Sequence, residues 1–318
     1  MRIVFMGTPE FAVPCLDILF KNKYDIVGVV TMPDKPAGRG QQVQQSAVKK
    51  YAVEHNIKVL QPDKLKNEEF IEELKSLKAD IQIVVAFRML PEVVWNMPAL
   101  GTYNLHASLL PQYRGAAPIN WALINGDEET GVSTFKLQHE IDTGNILFQE
   151  KVALTENTTA GDLHDTLMEI GARLILKTVQ AVDTGNYQLQ EQTKFISTTN
   201  ELKHAPKIFK ETCRINWNNT IESIHNLIRG LSPYPAAWTE LTDKNAQAHL
   251  VKIFLSYKES IQHDLPVGTC VSNNKTFLKV ACTNGFVYIN ELQLAGKRRL
   301  PIVEFLKGFA LQEGCIFK

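Results

Sequence analysis

The chain has no run of about 18 uninterrupted apolar residues, the length a membrane helix needs, so none of it is expected to cross a bilayer. It has no CxxC pair. Its five cysteines (Cys15, Cys213, Cys270, Cys282 and Cys315) are scattered and odd in number. That argues against a disulfide framework and suits a reducing, cytoplasmic setting. The eight histidines form neither HExxH nor a compact Cys/His cluster, so no metal site is expected. Only Gly7 of a GxGxxG pattern is present, which argues against a dinucleotide fingerprint. Internal repeats and low-complexity tracts are absent as well. The opening Met1–Gly7 is too short and too soon interrupted for a secretory signal, and reads as a first buried strand.

What remains is an ordinary globular composition, 44% hydrophobic and 21% charged, over 318 residues. That length suggests two domains. The net charge is zero but unevenly spread. Residues 205–318 hold 14 basic and 9 acidic side chains, whereas residues 1–204 hold 20 and 25. The asymmetry hints at an acidic partner for the C-terminal part, or is a chance partition of surface charge.

The first half alternates short apolar runs with helical periodicity. Arg2–Gly7, Asp25–Thr31, Lys58–Gln61 and Ile81–Phe87 are nearly continuously apolar or β-branched, as strands buried on both faces should be. Pro9–Lys21, Ser46–His55 and Asn67–Leu77 lie between them as helices. Strands are expected again at Thr102–His106 and Ser133–Leu137, with a pair around Ile146–Leu154. A long helix should cover Thr159–Asp183, with Thr159 and Asp162 as a capping pair. This alternation implies an α/β domain with a mostly parallel, Rossmann-like sheet over residues 1–189. Residues 190–206 are polar and aperiodic and read as a linker. Over 207–318 a short helix precedes five short strands punctuated by turns such as Asn284-Gly285, which suggests a small OB-like β-barrel. No long apolar face is left over, so a monomer is expected.

Three segments can carry chemistry. Pro33–Gly40 holds two prolines, two glycines and three charges, so it must be an exposed loop presenting Arg39. Asn104 and His106 are two apart, which on a strand puts an amide and an imidazole on one face. Ser108–Pro111 then turns, and Arg114–Pro118 is a second compact turn whose small residues let a ligand approach the backbone. Asp142 lies in the turn Asp-Thr-Gly144. It either hydrogen-bonds its own backbone or orients His106, since a carboxylate beside an imidazole fixes the tautomer and favours the charged ring. Asn104 and His106 likewise suit either a buried structural pair or a site, and spacing alone leaves both readings open.

The segments GTPEFA, PDKPAGRG, NLHASLLPQYRGAAPI and IDTG, in that order, resemble the folate-dependent formyltransferases. Beyond the linker, Ala205–Ile208, Ile228–Trp238 and Gly296–Leu300 resemble the C-terminal part of the methionyl-tRNA formyltransferase branch. The resemblance covers essentially the whole chain. It implies 10-formyltetrahydrofolate as donor and the amine of charged initiator tRNA as acceptor, without a metal. It assigns catalysis to Asn104, His106 and Asp142. It places the folate against Phe87, Arg88, Met89, Leu90, Ser108, Leu109, Leu110 and Pro111. It places tRNA against Arg39, Lys207, Lys297, Arg298 and Arg299. The chain departs from the family pattern at Gln41–Ser46, where lysines and prolines are usual, and at Arg88, Met89 and Glu140. The first departure leaves fewer charges for phosphate; the others alter the surroundings of the folate pocket.

Overall fold

The computed structural model describes residues 1–37, 42–196, 201–243, 247–312 and 314–318; Arg39 lies outside the described residues. The chain divides into two compact units. One comprises Met1–Gly115, Thr130–Val152 and His164–His204; the other comprises Ala116–Glu129, Ala153–Leu163 and Ala205–Lys318.

In the first unit, β1 (Arg2–Gly7) leads through α1 (Val13–Lys21) to β2 (Asp25–Val30), and α2 (Ala47–Glu54) leads to β3 (Val59–Leu60). After α3 (Glu68–Ser76) come β4 (Ile81–Val85) and β5 (Thr102–His106). β6 (Glu129–Lys136) and β7 (Ile146–Ala153) complete a sheet of order β7-β6-β5-β4-β1-β2-β3. β1 to β5 pair in parallel, and β6 runs antiparallel to β5. One strand, not a pair, covers 146–153, because the alternation there is unbroken by any turn residue.

The apolar runs are buried as expected. Ile3 to Met6 are fully buried, as are Ile81, Ile83 and Val85. Helix starts follow side-chain chemistry. Ser46 Oγ accepts from Lys49 N, and Asn67 Oδ1 from Glu69 N. The long helix α5 (Ala160–Thr184) opens on a reciprocal box, with Asp162 Oδ2 accepting from Thr159 N at 3.0 Å and Thr159 Oγ1 from Asp162 N at 3.2 Å. The strand order reverses direction between β1 and β4. In open α/β sheets that point, at the carboxyl ends of the strands, is where ligands bind.

The second unit is built on α6 (Ile221–Leu231), β8 (Ala237–Thr242), β9 (Ala248–Glu259), β10 (Cys270–Ser272), β11 (Leu278–Cys282) and β12 (Gly285–Leu294). A short helix α7 (Ile302–Gly308) and β13 (Ile316–Phe317) follow. The order is β10-β11-β12-β9-β8-β13. A bridge between Thr269 and Ile316, with Phe317 N donating to Gly268 O at 2.9 Å, joins its two ends into a nearly closed antiparallel barrel. Ile221, Ile224 and Ile228 of α6 pack on Val251, Ile253, Val280 and Val287 in its core.

His225 on α6 is buried and bridges Ser256 Oγ (3.0 Å, Nδ1) and Glu156 O (3.0 Å, Nε2). A carbonyl only accepts, so Nε2 carries the proton and Nδ1 accepts from the Ser256 hydroxyl. Burial lowers the His225 pKa from its ordinary 6.5, opposed by the bond to Glu156. Unfolding therefore takes up a proton below pH 6.5, and stability is lost as the pH falls from there towards the folded-state value. We expect the thermal midpoint to drop as the pH falls below 6.5, and the His225→Gln variant to show a shallower drop in the same calorimetric scan.

Candidate active site

β5 ends at the carboxyl edge of the sheet, flanked by β4 and β6, and carries both strand-borne candidates. Asn104 and His106 point to one face. Asn104 is partly exposed and makes no side-chain hydrogen bond to any described residue. An unengaged amide at a strand end is able to donate to a substrate oxygen.

His106 is buried, and Nε2 lies 2.8 Å from Tyr113 O. The carbonyl forces the proton onto Nε2. Nδ1 is then the ring position at which a proton can come and go, and it faces Asp142 Oδ2 at 3.8 Å. That separation is beyond a direct hydrogen bond and leaves the two groups coupled by charge.

Asp142 comes from the loop between β6 and β7 and has a left-handed backbone, φ 55°. Its Oδ2 accepts from Gly115 N at 3.0 Å, so the second compact turn and the acidic loop meet at the imidazole. Two residues on, Gly144 runs so close to the neighbouring strand that a Cβ would meet Lys136 O at 1.8 Å. Only glycine lets the loop turn there.

Residues outside the expected set hold this arrangement. Gln192 is almost fully buried, and its Nε2 donates to Asp142 O (2.8 Å) and Gly144 O (2.9 Å). Its Oε1 accepts from Arg114 Nε (3.0 Å) and Nη2 (2.6 Å). One amide thus ties the acidic loop to the turn that carries Gly115. Ser133 Oγ donates to Ser108 O (2.6 Å) and accepts from Leu110 N (3.0 Å) and Gln149 Nε2 (2.8 Å). Gln149 Nε2 also donates to Leu110 O at 2.9 Å. Gln192 falls in a polar stretch with no periodicity, and nothing local marks it. Ser133 sits on a strand among buried neighbours, a polar residue where the pattern calls for an apolar one, and that is a usable signal.

The candidate folate residues divide by environment. Ser108, Leu110 and Pro111 are buried and Leu109 is half-buried, so the turn offers mainly backbone. Leu90 packs in the core with Val94. Phe87 is half-exposed and Met89 exposed. Arg88 folds back, its Nη1 donating to Asp63 O at 2.8 Å and its Nη2 to Pro62 O. Burial lowers its pKa, opposed by Asp63. Lys207, Lys297, Arg298 and Arg299 are exposed on the second unit. Arg299 pairs with Glu291 and stacks 4.2 Å from the Phe254 ring, which leaves Lys297 and Arg298 as the protruding cations of that turn. Among the described residues no group of three His, Cys, Asp or Glu is placed to hold a metal ion.

Residues 1–179 match the formyl transferase family, and residues 207–310 match the formyl transferase C-terminal domain. The methionyl-tRNA formyltransferase of Bacteroides thetaiotaomicron is 57% identical over 99% of this chain and 97% of its own length. That of Flavobacterium johnsoniae is 50% identical over 98% of both. Among solved structures, an N-formyltransferase from Helicobacter canadensis superposes with a TM-score of 0.65 at 22% identity, covering 94% of this chain and all of that one. HypX from Aquifex aeolicus superposes at 0.63 and 18% identity, covering 98% of this chain and 48% of its own; both show the shared fold. The chain belongs to the formyl transferase family, in its methionyl-tRNA formyltransferase branch. Among the described residues no helix is long and apolar enough to cross a membrane.

Two substitutions test the supports. Gln192→Leu strips partners from one buried carbonyl, one partly buried carbonyl and a guanidinium, and should cost about 1–3 kcal/mol per buried group left unpaired. Ser133→Ala should cost a similar ~1–3 kcal/mol. Urea denaturation reads both, and a change under about 0.5 kcal/mol would show the bonds to be dispensable.

Proposed function

We propose that this enzyme moves the formyl group of 10-formyltetrahydrofolate onto the α-amine of methionyl-tRNA, the initiator species, in the cytoplasm and without a metal. The observation that carries this is the end-to-end match, C-terminal barrel included, to methionyl-tRNA formyltransferases at 57% identity. An enzyme acting on a small amine would not require the basic excess of residues 205–318, 14 basic against 9 acidic side chains.

The neutral amine attacks the formyl carbon, and the carbonyl oxygen becomes an oxyanion in a tetrahedral intermediate. Asn104, with its amide unengaged, donates to that oxygen. His106 keeps Nε2 on Tyr113 O and works through Nδ1, as a charged donor or by delivering its proton to the departing folate nitrogen. Asp142, across 3.8 Å from Nδ1, accepts the proton that the amine sheds, through a water molecule. The amine loses one proton and the folate nitrogen gains one, so the cycle closes without a net charge on the site. Folate lies against the backbone of 87–90 and 108–111. The tRNA lies against Lys207 and the Lys297–Arg299 turn, with Arg39 of the upstream loop as a further phosphate contact.

Asn104→Ala, His106→Ala and Asp142→Ala should each lower formylation of charged initiator tRNA by about 10²–10³ or more while the protein stays folded. Near-normal turnover by any of them would refute its role. Arg298→Ala with Lys297→Ala should raise KM for tRNA and flatten its dependence on salt, with folate affinity unchanged; an unaltered salt slope would remove that turn from the interface.

A further inference from the structure

The second unit carries a surface that the formyl-transfer residues do not use. Phe209, Tyr234, Trp238, Leu250, Lys210 and Lys252 border a hollow of about 360 Å³, and none of its lining residues is acidic. Two of its rings are displayed rather than packed, Phe209 at 58% exposed and Tyr234 at 82%, while Trp238 is partly buried against the barrel core. Its cations stand over the rings. Lys210 Nζ lies 5.5 Å and Arg214 Cζ 5.2 Å from the centre of the Trp238 ring, and Lys207 Nζ lies 5.6 Å from that of Phe209. The hollow is also fixed in shape. Trp238 Nε1 donates to Lys210 O at 2.8 Å, and Lys252 Nζ donates to Pro235 O at 3.1 Å.

Flat apolar faces and positive charge in one place suit a ligand that is itself flat, apolar on its faces and anionic at its edge. An apolar peptide would leave the cations unanswered, and an acidic peptide would leave the rings wet. An unpaired nucleotide answers both, since every base has a face to stack and a phosphate to neutralise. The volume falls at the lower end of small-ligand pockets, which admits one nucleotide and not a duplex whose bases already stack on each other.

We propose that Phe209, Tyr234 and Trp238 form a stacking site for an unpaired ribonucleotide, with Lys207, Lys210 and Lys252 taking the adjoining phosphates. The proposal rests on the reading of tRNA as acceptor and adds that the second unit grips a single-stranded nucleotide as well as duplex backbone.

The test uses the full chain, an unstructured ten-nucleotide RNA and a blunt RNA duplex of equal length, with affinities from fluorescence anisotropy. The single strand should bind more tightly than the duplex. Tyr234→Ala and Phe209→Ala should each weaken it about tenfold, within the range for losing one stacked base, while Tyr234→Phe retains binding. The RNA should quench tryptophan emission, and Trp238→Phe should abolish the quench. If Trp238→Phe fails to fold, the exposed Tyr234 decides alone. Unchanged affinity in folded Tyr234→Ala, or equal loss for the blunt duplex, overturns the proposal. So does a polyglutamate peptide that binds as tightly and responds equally to Tyr234→Ala, which would assign the surface to an acidic protein. A formylation assay on methionyl-tRNA separates the two readings. Transfer with RNA binding insensitive to Tyr234 sinks only the stacking site. No transfer with sensitive RNA binding sinks only the acceptor assignment.

Discussion

Asp142 stands on neither a helix nor a strand, and its backbone is left-handed. Nothing in its own neighbourhood aims its carboxylate, so the aim has to come from elsewhere. The Gly115 amide holds one oxygen, and Gln192 holds the main-chain carbonyl behind it. The same Gln192 grips Arg114, so the two loops on either side of the imidazole are braced as one piece. Remove that brace and the 3.8 Å separation between His106 and Asp142 has no reason to persist. Electrostatic catalysis depends on groups that need not reorganise when charge develops, and on the proposed reading of the site this chain would meet that demand with backbone amides and one buried side-chain amide.

The sheet was legible because parallel strands buried on both faces write themselves as continuous apolar runs. Ile3–Met6 and Ile81–Val85 could hardly be anything else. The capping box at Thr159 and Asp162 was equally plain, since both partners lie within one turn. What escaped was short or distant. β13 has two residues, Ile316 and Phe317, yet it closes the barrel. No periodicity can be read from two residues. α7, seven residues long, was hidden in the same way.

The site divides along the same line. Asn104 and His106 share a strand, so their common face followed from spacing. That Asp142 faces His106 did not follow, because the approach joins a strand to a loop distant in sequence; the resemblance to a known family supplied it. Gln192 was invisible to both approaches. It lies in a stretch whose polarity suggested a connecting segment; the two carbonyls it binds, about 50 residues away, leave no trace in residue type, and Arg114 is farther still along the chain. Ser133 had a trace, a hydroxyl among buried residues, and needed only the question of what it bonds.

That hydroxyl has one more consequence. Ser133 gives its only proton to Ser108 O and receives two donors on its oxygen, while Ser108 gives its own proton to Gln112 O. Neither hydroxyl retains a proton to lose, and both lone pairs of Ser133 Oγ are taken. Both stand in or beside the turn against which we propose the formylated folate lies, where a loose alcohol would compete as a nucleophile. On that reading, the hydrogen bonds that shape the turn also hold these two hydroxyl protons away from the donor's formyl carbon.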